Sequence, residues 1–354
     1  MIARRSLLAG AAGAAAATLA GPAIGQALVK TSFGPTTTDI STGHAAHSSL
    51  PRALGYWKDE GLDVDVFGVA GNTAGLQLIS AGNIDFITIV AEELLTGRAR
   101  GMPIKGAYMH ARQPIARIVV PKASGITSLA QLKGKTMGMP VIGPSPYSVA
   151  AFKEAGVNFA EDIKLVATGT GAPALLALRR GDIAGWISWD TAVAGLENRG
   201  MEFTELRPGF FDQLIGNIVI TREEVFRTRP ELIVKMCRGI AKAAHFGLTN
   251  PEAAIRIHWQ VYPQTKPQGG DPAKVMEEAK RVFLSRFSAF AVPPGTQYGA
   301  TSPSQWELVT KQMQEAGELP AGFDAGAAFT SEYLAEINNW DRGAIEAQAK
   351  AWNG

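Results

Sequence analysis

The sequence has a single cysteine, Cys237, in 354 residues. One cysteine excludes an intrachain disulfide and any zinc site that needs several thiolates. Charged residues are also few, at 19%, and 34 basic side chains nearly balance 32 acidic ones. Two of the basic residues, Arg4 and Arg5, lie in a segment that we expect to be removed. The mature chain then has no net charge, which disfavours a nucleic-acid-binding protein.

Long apolar runs are missing except at the N-terminus. There, Arg4 and Arg5 precede an alanine-rich stretch that ends at Ile24, and Gly25-Gln26-Ala27 offers small residues for a signal peptidase. The run is short for a membrane span, which needs about 20 apolar residues. We therefore expect residues 1–27 to be a signal peptide for the twin-arginine or the Sec route, and the mature protein to be periplasmic. A buried N-terminal helix is the alternative, and no nearby cysteine offers a lipid anchor.

The rest of the chain alternates short apolar runs with stretches of helical period. This alternation predicts an α/β fold with mainly parallel sheets covered by helices. After Glu223 the pattern becomes mainly helical, with starts predicted at Arg229-Pro230 and Asn250-Pro251. Cys237 falls beside the apolar stripe of the first of these helices, as a packed thiol would. The predicted strands are Leu28–Phe33, Val64–Phe67, Phe86–Val90, Ile104–Tyr108, Ile115–Val120, Thr136–Met139, Ile163–Ala167, Gly185–Ser188 and Ile218–Thr221.

One segment is echoed later in the chain. Residues 76–86 can be laid over residues 175–185, and both predict a helix, a glycine at its end (Gly82, Gly181), a polar turn and a buried strand. Small-residue turns precede both helices. The first backbone N–H groups of each helix therefore lie at the carboxyl end of a strand and point outward. Ligands of open α/β sheets bind at those ends. The echo predicts two similar lobes that face each other across a cleft, although any two strand–helix units share some likeness.

Several segments resemble the substrate-binding proteins of bacterial ABC importers, in particular the group that binds nitrate, taurine, alkanesulfonates and thiamine pyrimidines. The resemblance covers most of residues 28–245, and its motifs are more specific for the family than for the ligand. The segments that carry it are Gly61–Val66, Leu78–Asp85, Leu129–Lys135, Pro140–Ser148 and Ala174–Glu197.

The resemblance implies a type II periplasmic binding protein, with two lobes, each a mixed sheet flanked by helices, and two crossing strands as the hinge. We expect the crossings near Val119–Lys122 and Phe211–Asn217. It also implies a monomer that delivers a small molecule to a membrane permease and its ATPase, with no cofactor, metal or catalytic residue. The expected lobes are 28–120 with 212–354, and 121–211.

Candidate ligand contacts follow from the loops at strand ends. The loop after the first strand carries Thr37, Asp39 and His44, which offer donors and acceptors to a polar ligand, or form only a capped helix entry. His44 and His47 lie three apart, as two metal ligands on one helical face would, but no third ligand has a telling spacing. Asn72 and Thr73 open the next helix, as ligand-binding residues or as a simple cap.

Four further positions differ from the sulfonate-binding relatives. Those relatives have two serines at the positions of Ala91 and Glu92. Ser145 and Tyr147 stand where those relatives have threonines and a histidine, and Asp190 replaces a small residue. These departures disfavour a bare sulfonate or nitrate. Trp189, at a strand end, suits stacking on a ring or a place at the rim of the core.

The carboxylates of Asp39, Glu92 and Asp190 favour a ligand with N–H donors or a positive charge, such as an aminopyrimidine or an amine. They could instead pair with Arg112 or Arg117, and in that case a sulfonate or carboxylate ligand remains an alternative. An enzyme on the same fold that acts on a pyrimidine or another small metabolite is the alternative function. No common catalytic motif is found in the sequence. We therefore predict a binding protein.

Overall fold

The computed structural model describes residues 27–143 and 145–354. The predicted signal segment, apart from Ala27, lies outside the described residues. The described chain folds into two five-stranded mixed sheets flanked by helices, which confirms the predicted α/β architecture. Within the described ranges, no helix has the length and apolar character needed to cross a bilayer.

The first sheet has the strand order β2-β1-β3-β10-β4. Its first three strands are parallel, and β10 is antiparallel to both of its neighbours. The carboxyl ends of β1 and β3 therefore open at one edge of the sheet. The strands are β1 Val29–Gly34, β2 Leu62–Val66, β3 Phe86–Val90, β4 Ile104–Met109 and β10 Asn217–Arg222.

The second sheet repeats this plan with the order β7-β6-β8-β5-β9. β6, β7 and β8 are parallel, and β5 takes the antiparallel place that β10 has in the first sheet. The short strand β9 has no counterpart among the predicted strands. The strands are β5 Ala116–Pro121, β6 Thr136–Met139, β7 Lys164–Ala167, β8 Gly185–Trp189 and β9 Phe203–Glu205.

Fifteen α-helices lie in the described ranges, five of them after residue 250. They are α1 Ser49–Ala53, α2 Tyr56–Asp59, α3 Gly71–Ser80, α4 Ala91–Ala99, α5 Pro146–Glu154, α6 Phe159–Asp162, α7 Ala172–Arg180, α8 Asp190–Glu197, α9 Glu223–Thr228, α10 Pro230–Thr249, α11 Pro251–Val261, α12 Pro272–Phe287, α13 Pro303–Glu315, α14 Leu334–Ile337 and α15 Arg342–Ala351.

The first crossing between the sheets differs from the prediction. From the sequence, the first part of the first lobe is expected to end at residue 120, with a crossing near Val119–Lys122. Instead, β5 pairs with β8 and β9 in the second sheet, so the chain passes between the sheets at residues 110–115. An apolar run does not reveal which sheet it joins, because strand partners are set by tertiary packing. The second passage, residues 206–216, contains most of the predicted crossing at Phe211–Asn217.

The echoed segments occupy equivalent places in the two sheets. α3 leads into β3, α7 leads into β8, and each strand lies at the centre of its sheet. Gly82 and Gly181 follow these helices with φ of 75° and 73°, left-handed values that glycine adopts at no steric cost. The internal likeness in the sequence therefore marks the two strand–helix units that border the space between the sheets.

The core of the first sheet is closed by α10. Its predicted inner stripe is buried, and burial raises the pKa of the adjacent Cys237 thiol, so this cysteine is a packed residue. Asn250 caps α11 as predicted, because its side chain accepts a hydrogen bond from the Ala253 N–H. After β1, residues 49–59 form two short helices, α1 and α2, separated at Gly55, whose φ is 77°.

We predict opposite effects for two glycine-to-alanine changes inside helices. A methyl group on Gly239, in α10, overlaps the buried indole ring of Trp57, so Gly239→Ala should lower the free energy of unfolding by about 1–3 kcal/mol. Gly195, in α8, has open space around it, so Gly195→Ala should raise that free energy by up to about 1 kcal/mol. Urea denaturation of both variants measures this, and equal effects would contradict the described packing of α10.

Candidate functional site

A cavity of about 590 Å³ lies between the two sheets, at the carboxyl ends of their parallel strands. Residues at the carboxyl ends of β3, β6 and β8 and residues that follow β1 and β6 line it, together with the first turn of α3. The passage between the sheets and the C-terminal helices complete the wall. The lining residues are Thr36, Thr37, Thr38, His44, His47, Ala70, Gly71, Asn72, Thr88, Val90, His110, Ala111, Ile115, Ala116, Met139, Pro140, Val141, Ser145, Ile187, Ser188, Trp189, Asn217, Arg286 and Phe290.

A smaller chamber of about 250 Å³ adjoins this cavity. The two share six lining residues, so they form one continuous cleft. The chamber differs in charge, because Glu92, Glu93 and Glu318 line it with a single cation, Arg100. The shared residues are Asn72, Val90, Ile115, Ala116, Ser145 and Asn217.

Three histidines form one wall of the cavity. His44 and His47 lie on the 3₁₀ helix that follows β1, and His110 follows β4. The ring centroids of His47 and His110 are 4.3 Å apart in an edge-to-face arrangement, and the His110 ring lies 4.1 Å from that of Phe290. All three histidines are less than 8% exposed. The three imidazoles and the Phe290 ring therefore form an almost completely buried part of the cavity wall.

Most of the polar atoms on this wall have no partner in the protein. Within residues 27–143 and 145–354, neither ring nitrogen of His47 or of His110 accepts or donates a hydrogen bond. The same is true of Ser188 Oγ and Asn217 Oδ1, which line the same cavity. Buried polar atoms without a partner cost about 1–3 kcal/mol each, so a water or a bound molecule that reaches these atoms would stabilise the wall.

The histidine wall is electrically neutral. Burial is the largest cause that lowers the pKa of His44, His47 and His110 well below the ordinary imidazole value, and the nearby Arg286 guanidinium lowers each further. A neutral imidazole has one N–H donor and one acceptor nitrogen. His47 and His110 together therefore offer two donors and two acceptors, while Ser41 Oγ lies 3.2 Å from His44 Nδ1 and orients that ring.

Arg286, from α12, is the permanent charge among the described residues that line the larger cavity. Asp190, which follows β8 on the other side, compensates it. Arg286 Nε donates to Asp190 Oδ2 at 2.7 Å, and Nη2 donates to Oδ1 at 2.6 Å. The two side chains are 5% and 1% exposed. The pair leaves the larger cavity without net charge.

Nine of the ten predicted contacts can be placed in or beside the cleft, with different roles. Thr37, His44, Asn72, Ser145 and Trp189 line the larger cavity, and Thr73, Glu92 and Tyr147 line the smaller chamber. Asp190 lines neither, because Arg286 holds it behind the wall. Asp39 is exposed on the loop after β1 and also lines neither.

Two of the predicted carboxyl groups, Asp190 and Glu92, have surroundings that the sequence did not reveal. The alternative in which Arg112 or Arg117 pairs with a carboxylate does not hold for Asp190, which pairs with Arg286, and Arg117 contacts Glu205. Burial raises the pKa of Glu92 to about 7, so this carboxyl is partly protonated near neutral pH.

Sequence reasoning missed His110, Asn217, Arg286 and Phe290 as cavity residues. His110 begins the first passage between the sheets, which the misplaced crossing hid, and Asn217 begins β10 directly after the second passage. Arg286 and Phe290 come from the C-terminal helical region, beyond residue 245, where the part of the chain that carried the resemblance ends. No local motif marks any of the four. The His44–His47 pair was noted, but only as a candidate metal pair.

The described residues show no arrangement typical of a metal site or of a nucleophile with its base. No group of three or more His, Cys, Asp or Glu side chains in the described ranges is placed to hold a metal ion. Ser49 Oγ lies 2.9 Å from His258 Nδ1, but both residues are buried outside the cavity. The cleft residues are therefore equipped to bind through hydrogen bonds and ring contacts.

Curated proteins similar to this chain include two binding proteins and a synthase. The chain is 26% identical to a riboflavin-binding protein of Chloroflexus aurantiacus, over 80% of this chain and 81% of the relative. It is 23% identical to a formylaminopyrimidine-binding protein of Halalkalibacterium halodurans, over 81% and 87%. It is also 24% identical, over 83% and 84%, to a 4-amino-5-hydroxymethyl-2-methylpyrimidine phosphate synthase of Aspergillus parasiticus.

Among solved structures, the periplasmic aliphatic sulphonate binding protein of Escherichia coli matches with a TM-score of 0.64 and 17% identity, over 84% of this chain and 91% of that one. At this identity the match shows a shared fold, that of the periplasmic binding proteins. A sequence profile of the family described as NMT1/THI5 like matches residues 49–254, more than half of the chain. The chain belongs to the NMT1/THI5 like family.

Proposed function

We propose that this protein is an extracytoplasmic solute-binding protein that captures an uncharged, planar nitrogen heterocycle between its two lobes and delivers it to an ABC importer. We take the first lobe as residues 27–109 with 217–354 and the second lobe as residues 116–205, joined by the passages at 110–115 and 206–216. The observation that carries the ligand class is the neutral histidine wall, whose buried polar atoms have no partner within the described protein.

The wall favours a ring with a mixed hydrogen-bonding edge. His47 and His110 each provide a donor and an acceptor, and Ser188 and Asn217 add further groups around the same space. Trp189, which is partly exposed, offers a flat apolar face to a ring, and Phe290 packs against the His110 ring and supports it. An aminopyrimidine or a larger fused heterocycle has such an edge and such faces. A cavity of about 590 Å³ lies within the usual range for small-molecule sites.

Charge disfavours a sulfonate, nitrate or carboxylate ligand. The cation of the larger cavity, Arg286, is already paired with Asp190, and the smaller chamber has three carboxyl groups against one arginine. An anion would enter a poorly hydrated space with no uncompensated positive charge, which costs free energy. The same chamber suits an amino substituent of the ring, because Glu92 can accept from an N–H donor.

The similar curated proteins support the heterocycle class. The names of two of them state riboflavin and formylaminopyrimidine as ligands, and both compounds contain an uncharged nitrogen heterocycle. The similarity to a pyrimidine phosphate synthase supports an enzyme that acts on a related ring as the second candidate. Binding fits the described cleft better, because its polar groups are unpaired donors and acceptors rather than a nucleophile with a base.

A ligand screen of residues 28–354 tests the proposed class. The panel contains riboflavin, 4-amino-5-hydroxymethyl-2-methylpyrimidine and formylaminopyrimidine against taurine, methanesulfonate and nitrate. We expect a rise in the thermal midpoint of several degrees with at least one ring, because a ligand at 100 times its Kd adds about 2.7 kcal/mol of stability. Stabilisation by the anions alone would contradict the proposal. Conversion of a bound ring to a new compound, followed by mass spectrometry, would favour the enzyme.

Trp189 is expected to contact the bound ring. It lies at the end of β8, is partly exposed and lines the cavity. Trp189→Ala should weaken binding of the heterocycle at least tenfold, about 1.4 kcal/mol, through the loss of stacking. Titration calorimetry measures the change. Trp352→Ala is the control, since Trp352 lies near the C-terminus outside the cleft, and equal affinities for both variants would assign Trp189 to the core.

A further inference from the structure

We propose that Arg286 is a ligand-binding residue that presents the free edge of its guanidinium to an acceptor atom of the ligand, and that Asp190 of the second lobe fixes the orientation and compensates the charge of that group. This inference rests on the proposed function, because it names the hydrogen-bonding feature that the ligand must carry. It adds an oxygen or ring-nitrogen acceptor to the class described above.

The hydrogen-bond geometry of Arg286 leaves donors unused. Asp190 engages Nε and one proton of Nη2 in a side-on bidentate contact. A guanidinium has five N–H donors in one plane, so three remain, one on Nη2 and two on Nη1. No partner of Nη1 is found in the part of the chain that the structure describes, and Arg286 lines the larger cavity. The remaining donors are therefore placed for a molecule in that cavity.

Asp190 is fully engaged and cannot itself receive the ligand. Its Oδ1 accepts from Arg286 Nη2 and from the Thr191 N–H at 2.7 Å, and its Oδ2 accepts from Arg286 Nε. The carboxylate is almost completely buried. Its role is to hold the guanidinium plane at one angle, since a bidentate arginine–carboxylate pair permits little rotation. Asp190 is thus a positioning residue, not a ligand contact.

The pair joins the two lobes. Arg286 belongs to α12 in the first lobe, and Asp190 begins α8 in the second lobe. Two other contacts hold the lobes at this separation. Between α8 and α12, Asn198 Nδ2 donates to the Glu278 carbonyl at 2.9 Å. On the 3₁₀ helix after β1, Gly43 lies so close to α8 that a Cβ there would be only 2.7 Å from Thr191 Cγ2. The oriented donor edge therefore exists only when the lobes are together, so it contributes to binding in the closed arrangement and not in a separated one.

The compensated charge sets the preference between neutral and anionic ligands. With Asp190 in place, the guanidinium acts as a set of directed donors without a net charge around it, which suits a carbonyl oxygen or a ring nitrogen. With Asp190 replaced by Asn, the same edge carries an uncompensated positive charge into the cavity. A small planar oxyanion such as nitrate then becomes the matching ligand, because it accepts hydrogen bonds and supplies the missing negative charge.

Nitrate therefore serves as a probe that does not require the natural ligand. We expect 50 mM sodium nitrate, compared with 50 mM sodium chloride, to raise the thermal midpoint of Asp190→Asn by about 2–4 °C or more. The same salt should leave the wild type and the double variant Asp190→Asn/Arg286→Met unchanged. The double variant removes both charges at similar volume, a change that buried ion pairs tolerate. The proposal is overturned if nitrate stabilises Asp190→Asn no more than it stabilises the wild type and the double variant.

The second arm measures affinity for whichever ring of the screen binds the wild type. Arg286→Met should weaken binding at least tenfold, and so should the double variant. The control is Lys153→Met, because Lys153 forms a second contact between the lobes, with Glu315, but both side chains are largely exposed and the pair lies outside the cleft. Unchanged affinity in Arg286→Met would contradict a ligand contact. If no ring binds the wild type, the proposed ligand class fails, while the nitrate result still decides the role of Arg286.

Discussion

Buried polar atoms need hydrogen-bond partners, and this requirement governs the space between the two sheets. His47 and His110 are almost completely buried, yet within the described residues their ring nitrogens have no protein partner. The backbone holds them there. His47 lies on the 3₁₀ helix after β1, and the backbone N–H of His110 donates to the Asn217 carbonyl at 2.7 Å. The fold thus keeps these polar groups buried without protein partners beside the cavity, and in our proposal the ligand supplies the partners.

The two lobes contribute different parts of the cleft. Each sheet supplies the carboxyl ends of its parallel strands, but His44, His47, Phe290 and Arg286 come from the first lobe, and His110 begins the passage that leaves it. The second lobe contributes Ser188 and Trp189 to the wall and Asp190 behind it. Because Asp190 neutralises Arg286 from across the cleft, the charge of the site depends on the contact between the lobes. In our proposal, this one ion pair links ligand selection to the closure of the lobes.

Much of the architecture could be predicted from the sequence. Alternating apolar runs placed nine of the ten strands within a few residues, and the echoed helix–glycine–strand units predicted the matching places of β3 and β8. The three-residue strand β9 is too short to show a period. The position of β5 could not be read locally, because a strand's sheet is decided by its partners rather than by its own residues.

The candidate site was less accessible from the sequence. Residues at predicted strand ends, such as Asn72 and Trp189, could be found because the topology rule for open sheets points to them. Asp190 has the same local pattern, but a residue almost a hundred positions away turns it into an ion-pair partner. His110, Arg286 and Phe290 reach the cleft only through tertiary packing of segments with no motif of their own.

The most direct test is a nitrogen-15 NMR measurement of the imidazole rings, since the protein has only five histidines. The lowered pKa values of His47 and His110 predict that both rings stay neutral from pH 7.5 to 5.5, whereas an ordinary imidazole gains its proton near pH 6.5. Addition of the heterocycle that stabilises the protein should shift the ring nitrogens of His47 and His110 and leave those of His258, outside the cleft, in place. Titration of His47 and His110 near pH 6.5, or binding that leaves their nitrogens unchanged, would contradict the neutral, ligand-binding wall.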